Sequence, residues 1–207
     1  MKTKQQKPIV GIIAAVVVVL IAGYFFWHRQ NTQTETATID TSKTYLADIV
    51  VKDYGTIQVA LDPKEAPLTC QNFNELANDG FYDNLTFHRI MKGFMIQGGD
   101  PNGDGTGGSE KTIQGEFQSN GVDNKLAHER GTISMARSSD PNSASSQFFI
   151  CDADDPFLDG DYAAFGRVVK GMDVVDKIAS DAKPLDNNGT IAKDDQPVIE
   201  TIQITEE

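Results

Sequence analysis

Phe87-His88-Arg89-Ile90-Met91-Lys92-Gly93-Phe94-Met95-Ile96-Gln97-Gly98-Gly99-Asp100 reads as two short strands and the turn between them. Phe87 and Arg89, then Phe94 and Ile96, alternate with their neighbours, and Lys92-Gly93 supplies the turn. Side chains two apart in a strand share a face. Arg89, Gln97 and at least one of Phe94 and Met95 are therefore expected close together. A fixed cation, an amide and an apolar floor make an unusual set for a sheet, because a buried Arg is costly unless something needs its charge. The competing reading is an ordinary sheet in which the Arg caps an edge and Gly98-Gly99-Asp100 is only a turn.

A second stretch changes the balance. Ser145-Ser146-Gln147-Phe148-Phe149-Ile150-Cys151 is followed by Phe157-Leu158-Asp159-Gly160 and by Phe165-Gly166. With FHRI at 87–90, GFMIQGGD at 93–100, GTGG at 105–108, GTISMA at 131–136 and AFGRV at 164–168, the chain resembles the cyclophilin family of peptidyl-prolyl cis-trans isomerases. The motifs stand in the family's order and near its spacing, and the resemblance covers roughly Tyr45 to the C-terminus. One motif alone would be weak; the ordered set is specific.

The chain has 207 residues, enough for one ordinary domain with appendages. Its formal charge is −12, unevenly spread: Lys2, Lys4, Lys7 and Arg29 make the first 29 residues basic, with no acid among them. The acidic remainder argues against nucleic-acid binding, which needs a basic surface. Cys70 and Cys151 are too few for a disulfide framework. They are expected on a helix and a central strand, as two separate buried thiols. Neither has a His at ligand or catalytic spacing, so no zinc or nucleophilic role is expected.

Ile9–Trp27 is apolar and uncharged, near the ~20 residues that span a bilayer as a helix. Lysines precede it, and Tyr24, Phe25, Phe26 and Trp27 form an aromatic belt at its far end. The reading is a short basic cytoplasmic tail at 1–8, a single-pass anchor at 9–27, a flexible polar stalk at 28–44 and a folded domain at 45–207. The N-terminus lies inside the cytoplasmic membrane and the domain outside it. The rival is a cleaved signal peptide, but no clear A-x-A site follows; either way the domain is placed outside.

Strands are expected at Tyr45–Val51, Thr56–Leu61, Thr132–Ala136, Gln147–Cys151, Ala164–Val168 and Pro197–Thr205, besides the hairpin. In the last strand Val198, Ile202 and Ile204 are expected to share one face, interrupted by Glu200. Pro67 opens a helix and Gly80 suits its end; Met172–Ile178 forms a second. Asp100-Pro101-Asn102-Gly103-Asp104-Gly105 mimics the start of a calcium loop, but Lys111 stands where the bidentate Glu belongs. No metal is expected. Asn84-Leu85-Thr86 and Asn188-Gly189-Thr190 fit the short glycosylation pattern. Short strands with two helices suggest a closed antiparallel barrel. The resemblance sharpens this to a mainly β fold, a closed eight-stranded barrel with a helix over each end.

The resemblance also implies an activity. The bond before proline has a small trans preference but a barrier of ~18–20 kcal/mol. Its catalysis calls for no nucleophile, metal or cofactor. Arg89 and Gln97 are the implied catalytic residues. Phe94, Met95, Phe149 and Leu158 are the implied socket for the proline ring, with core packing as the alternative for Phe94, Met95 and Phe149. Backbone groups at Ala136-Arg137 would hold the peptide as an added strand, and Phe157 and Tyr162 would complete the rim. His88 is read as structural. The best-known family members have Trp, Asn and His at Phe157, Arg137 and Tyr162. Phe157 lacks an indole N–H, so weak cyclosporin binding is expected. The implied role is isomerisation of proline-containing segments of secreted or cell-surface proteins by a monomeric domain. The alternative is a non-catalytic module that binds such segments as a scaffold or chaperone.

Overall fold

The computed structural model describes residues 38–206. The stretch read as an anchor, Ile9–Trp27, and the tail before it lie outside the described residues. Among the described residues no helix is long and apolar enough to cross a membrane. Of the stretch read as a stalk, residues 38–44 are described. There Ile39 packs against the core, Asp40 accepts the Ser42 N–H at 2.9 Å, and Lys43 pairs with Glu206.

Among the described residues, eight strands and two α-helices follow in the order β1 (Tyr45–Val51), β2 (Gly55–Leu61), α1 (Pro67–Asn78), β3 (Thr86–Met91), β4 (Met95–Asp100), β5 (Thr132–Met135), β6 (Phe148–Cys151), β7 (Ala164–Lys170), α2 (Met172–Asp181) and β8 (Ile199–Glu206). The strands form one antiparallel sheet in the order β3-β4-β6-β5-β7-β2-β1-β8.

The sheet does not close. It curls into a half-barrel with β3 and β8 as its edges, which corrects the closed barrel read from the sequence. The two edges meet only where β3 begins: the Phe87 N–H donates to the Pro197 carbonyl at 2.9 Å, and Ile199 donates to the Leu85 carbonyl at 2.8 Å. Pro197 has no N–H to return, so the ladder stops there. Further along, another segment takes the β3 edge. The Ile90 N–H donates to the Gly189 carbonyl at 2.8 Å, and the Ile191 N–H to the His88 carbonyl at 3.0 Å. A covered edge cannot template further pairing.

Alternation places a continuous row of isoleucines inside. Ile90, Ile96, Ile150 and Ile133 are successive cross-strand partners on β3, β4, β6 and β5, and all are fully buried. Burying one such side chain is worth about 1.5–3 kcal/mol. Pro67 stands in the first turn of α1, where its missing N–H is harmless. From that helix Phe73 meets Phe148 edge-on at 5.5 Å, Phe165 at 5.2 Å and Tyr82 at 5.1 Å. Val174, Val175 and Ile178 make the buried face of α2.

The last strand departs from the expected pattern. Val50 faces Thr201 and Val51 faces Ile199, so Glu200 bulges out of the ladder. An extra residue reverses the alternation on either side of it. Ile199 and Ile202 are therefore the buried pair, whereas Val198 is only half-buried.

Candidate active site

A second bulge builds the site. Phe87 faces Gly98 while Arg89 faces Gln97, so His88 is the extra residue in β3. Without it, Phe87 and Arg89 would share a face. With it, Phe87 enters the core and Arg89 turns to the opposite face of the sheet. Two rows of side chains then run across that face. Arg89, Gln97, Phe149 and Ser134 are successive partners on β3, β4, β6 and β5, and Met91, Met95 and Cys151 follow one step along. Phe148 points into the core and Phe149 into the site.

Arg89, Gln97, Met95 and Phe149 of these rows line a cleft of about 490 Å³. Arg89, Gln97, Phe94, Met95, Ala136, Arg137, Phe149, Leu158 and Tyr162 all line it. Of the residues singled out in the sequence, only Phe157 does not. It stands 68% exposed on the rim, its ring 5.5 Å from that of Phe94. Met95, Phe149 and Leu158 form a small apolar cluster of their own, with Phe94 and Tyr162 packed against it.

Arg89 is held by neutral acceptors. Its Nε donates to the Asn188 carbonyl at 2.8 Å and its Nη1 to Gln97 Oε1 at 3.1 Å. The sulfur of Met91 lies 3.3 Å from Nη2, and the guanidinium sits 5.7 Å from the Phe94 ring centre. No carboxylate pairs with it among the described residues. Partial burial pulls its pKa below the usual guanidinium value, but Arg stays charged at any physiological pH.

The hydrogen bonds continue in one direction. Gln97 Nε2 donates to Gln147 Oε1 at 2.9 Å, and Gln147 Nε2 donates to the carbonyls of Gly107 at 2.7 Å and Gly105 at 3.2 Å. Arg89 can only donate, and the two carbonyls can only accept. Both amide orientations are thereby fixed, and the second N–H of Gln97, a residue of the cleft lining, has no partner among the described residues.

Several contributors were not legible as site residues. Gln147 lies within the motif stretch, but nothing in its spacing pointed to a link with Gln97. Asn188 reaches Arg89 through a main-chain oxygen, which carries no side-chain signature. Its loop is tied by Asp186, whose carboxylate accepts the N–H groups of Asn188 at 2.9 Å and Thr190 at 3.0 Å and the Thr190 hydroxyl at 2.9 Å. His88 also lines the cleft. It is 4% exposed, neither ring nitrogen has a hydrogen-bond partner among the described residues, and burial lowers its pKa.

Behind Phe149 stands a buried strut. The His128 ring stacks on it at 6.0 Å, with Nδ1 2.9 Å from Asp159 Oδ1 and Nε2 3.0 Å from Ser134 Oγ. Asp159 can only accept, so Nδ1 carries the proton and Nε2 receives the hydroxyl. Ser134 is fully buried, so this set supports the wall and presents no nucleophile.

The glycine loop carries its own organiser. Asp100, 1% exposed, accepts the N–H groups of Asn102 at 2.8 Å, Asp104 at 3.1 Å and Gly105 at 2.6 Å. Its lone pairs are spent on the backbone rather than turned toward a cation. A side chain at Gly107 would run into that carboxylate. Gly99 takes φ +81°, and a Cβ there would stand 2.5 Å from the Ser146 carbonyl. Both cysteines are free and buried, as two separate thiols. Burial raises both of their pKa values and keeps them inert.

Comparison with known proteins agrees with this geometry. The family model described as cyclophilin type peptidyl-prolyl cis-trans isomerase matches residues 46–206. The chain is 47% identical over 130 residues to peptidyl-prolyl cis-trans isomerase A of Dickeya dadantii, a match that covers 60% of this chain and 66% of that protein. It is 47% identical over 131 residues to a peptidyl-prolyl cis-trans isomerase of Acinetobacter baylyi, covering 61% and 68%. Other relatives are much longer: the match spans 21% of isomerase 9 of Schizosaccharomyces pombe. The crystal structure of a Cryptosporidium parvum cyclophilin type isomerase, determined in the presence of the dipeptide Ala-Pro, superposes with a TM-score of 0.68 at 32% identity, covering 78% of this chain and 99% of that one. On the matched residues, the sheet and the cleft they surround, this chain belongs to the cyclophilin type peptidyl-prolyl cis-trans isomerase family.

Proposed function

We propose that the chain is an active peptidyl-prolyl cis-trans isomerase that works on proline-containing segments in the cleft of Arg89. The observation that carries the reading is the state of Arg89: half-buried beside an apolar floor, bonded only to neutral acceptors, with no carboxylate in ion-pair contact among the described residues. Such an expensive placement is reasonable only if something else uses the charge.

The proline ring rests on Phe94, Met95, Phe149 and Leu158. As the bond twists, the proline nitrogen becomes pyramidal and regains its lone pair. A guanidinium N–H donates to that lone pair and gains almost nothing from the planar ground state. The interaction therefore grows in the transition state, which is the requirement for catalysis. The remaining Gln97 N–H takes the carbonyl that precedes the proline. The Ala136 carbonyl and the Arg137 N–H, which carry no bond among the described residues, hold the peptide backbone. Raising an uncatalysed rate of ~10⁻² s⁻¹ to ~10² s⁻¹ requires ~5.5 kcal/mol of differential binding. One aimed charged donor supplies ~2.7–4 kcal/mol, and the dry floor supplies the remainder.

We place this activity outside the cytoplasmic membrane, on secreted or cell-surface proteins. The support is the apolar run Ile9–Trp27 with lysines before it and aromatics at its end. A protease-coupled assay with a proline peptide tests the activity. Protease digestion of intact cells and of lysed cells tests the placement: digestion of the domain in intact cells is expected, and protection until lysis would overturn it.

A further inference from the structure

We infer that Arg137 makes the enzyme selective for peptides with an acidic side chain two or three residues before the proline, an inference that rests on the isomerase reading above. Four arginines lie among the described residues. Arg130 pairs with Asp176 at 2.8 Å and Arg167 with Glu129 at 2.7 Å. The two that line the cleft, Arg89 and Arg137, have no carboxylate partner among the described residues. In a chain of net charge −12, the two guanidinium groups that make no ion pair among the described residues line the same cleft.

Arg137 is pinned without being neutralised. Its Nε and Nη2 donate to the Asp161 carbonyl at 3.0 and 2.8 Å, and its Nη1 to the Ser138 carbonyl at 2.9 Å. Its charge lies over the rings of Phe117 at 5.0 Å and Tyr162 at 4.7 Å. Carbonyls and ring faces fix the fork and leave its charge uncancelled. A guanidinium has five N–H groups, so the remaining ones are free to receive a carboxylate, the partner its planar fork fits best.

The position of Arg137 sets which part of the peptide it meets. A second cleft of about 400 Å³ adjoins the first and shares Gln97, Gly105, Thr106, Ala136 and Arg137 with it. With the proline on the Phe149 floor and the preceding carbonyl at Gln97, the chain before the proline leaves over that shared wall. Extended chain advances ~3.3–3.6 Å per residue, so the second or third residue before the proline passes the guanidinium. The second cleft is lined by small polar residues and glycines and by no acid. Glu110, next to Ser109 in sequence, and Asp140, whose main chain bonds the lining residues Ser138 and Ser143, do not themselves line it. The single acid in the first cleft is Asp104.

The test is a set of peptides that differ only in Glu, Gln or Lys at those two positions, assayed with the full chain at low salt. Wild type is expected to favour Glu over Gln by about twofold to fivefold in kcat/KM, the size of a half-exposed ion pair, and to place Lys last. Arg137→Met keeps the packing and is expected to bring the three peptides together; Arg137→Lys keeps the order. The ratio within one variant is the readout, so a general loss of activity or folding does not imitate the effect. Equal rates in wild type, or an unchanged order in Arg137→Met, would overturn the inference. If wild type turns over none of the peptides, the isomerase reading fails, and calorimetric titration of the same peptides decides this one. Tighter binding of Glu that is lost in Arg137→Met upholds it, and equal affinities overturn it.

Discussion

Arg89 and Gln97 are direct partners across the β3–β4 ladder, and the Arg89 Nη1 donates to the Gln97 Oε1 at 3.1 Å. The pair exists because the His88 bulge rotates Arg89 out of the core-facing register. Its polarity runs from a group that can only donate to loop carbonyls that can only accept, so the Gln97 amide has one stable orientation.

That orientation makes Gln97 a directional donor. Gln97→Ala is expected to lower kcat/KM by about tenfold, the worth of one well-made hydrogen bond. Gln97→Glu is expected to cost more. The new carboxylate would draw the Arg89 charge to itself and face the Gln147 oxygen without a proton to share. Peptide assays of the two variants, with their order compared, check this.

Asp186 acts through the loop that holds Arg89. Asp186→Ala removes the acceptor for three donors in 188–190 and loosens the Asn188 carbonyl on Arg89 Nε. Small displacements of a positioned group are costly to rate, and about threefold to tenfold is expected here. The loss should fall on kcat with little change in KM, because the proline floor is untouched. Steady-state kinetics over a range of peptide concentrations separate the two.

Phe148 and Phe149 are neighbours in sequence and lie on opposite faces of β6. Phe148→Leu is expected to lower stability by about 1–3 kcal/mol with KM nearly unchanged. Phe149→Leu is expected to raise KM, because its ring is part of the floor. Urea unfolding and peptide kinetics on both variants check this.

Asp155 gives a pH signature. It is 3% exposed, its Oδ2 has no hydrogen-bond partner among the described residues, and burial pushes its pKa from 3.8 up to about 6. A carboxyl with a raised folded pKa stabilises the fold while protonated. That contribution is full below the unfolded value near 4 and is lost as pH rises through about 6, at most ~3 kcal/mol in all. The stability of wild type relative to Asp155→Asn should therefore fall between pH 4 and pH 7. Paired urea unfolding curves at the two pH values measure it.

Much of this site was legible in the sequence. The hairpin, its Gly93 turn, the Arg89–Gln97 proximity and the division of Phe148 from Phe149 follow from period-two alternation and the motif residues. The His88 bulge did not, because alternation alone puts Phe87 and Arg89 on one face. The open seam did not either. It depends on Pro197 lacking a donor and on the 189–191 segment reaching the β3 edge, and both are matters of distant geometry. The Asn188 grip on Arg89 joins residues far apart in sequence through a carbonyl common to every residue. The exposed placement of Phe157 reflects the short helical turn Pro156–Leu158, which buries Leu158 and turns Phe157 outward.

The central claim is that Arg89 strengthens its contact as the imide bond twists. The most direct measurement compares the full chain with Arg89→Ala in a protease-coupled proline-peptide assay, with both proteins shown to be folded by circular dichroism. A fall in kcat/KM of about 10²–10³ is expected, the loss of one charged donor to a transition state. Wild-type protein no faster than Arg89→Ala would contradict the account and leave a module that only binds proline-containing segments.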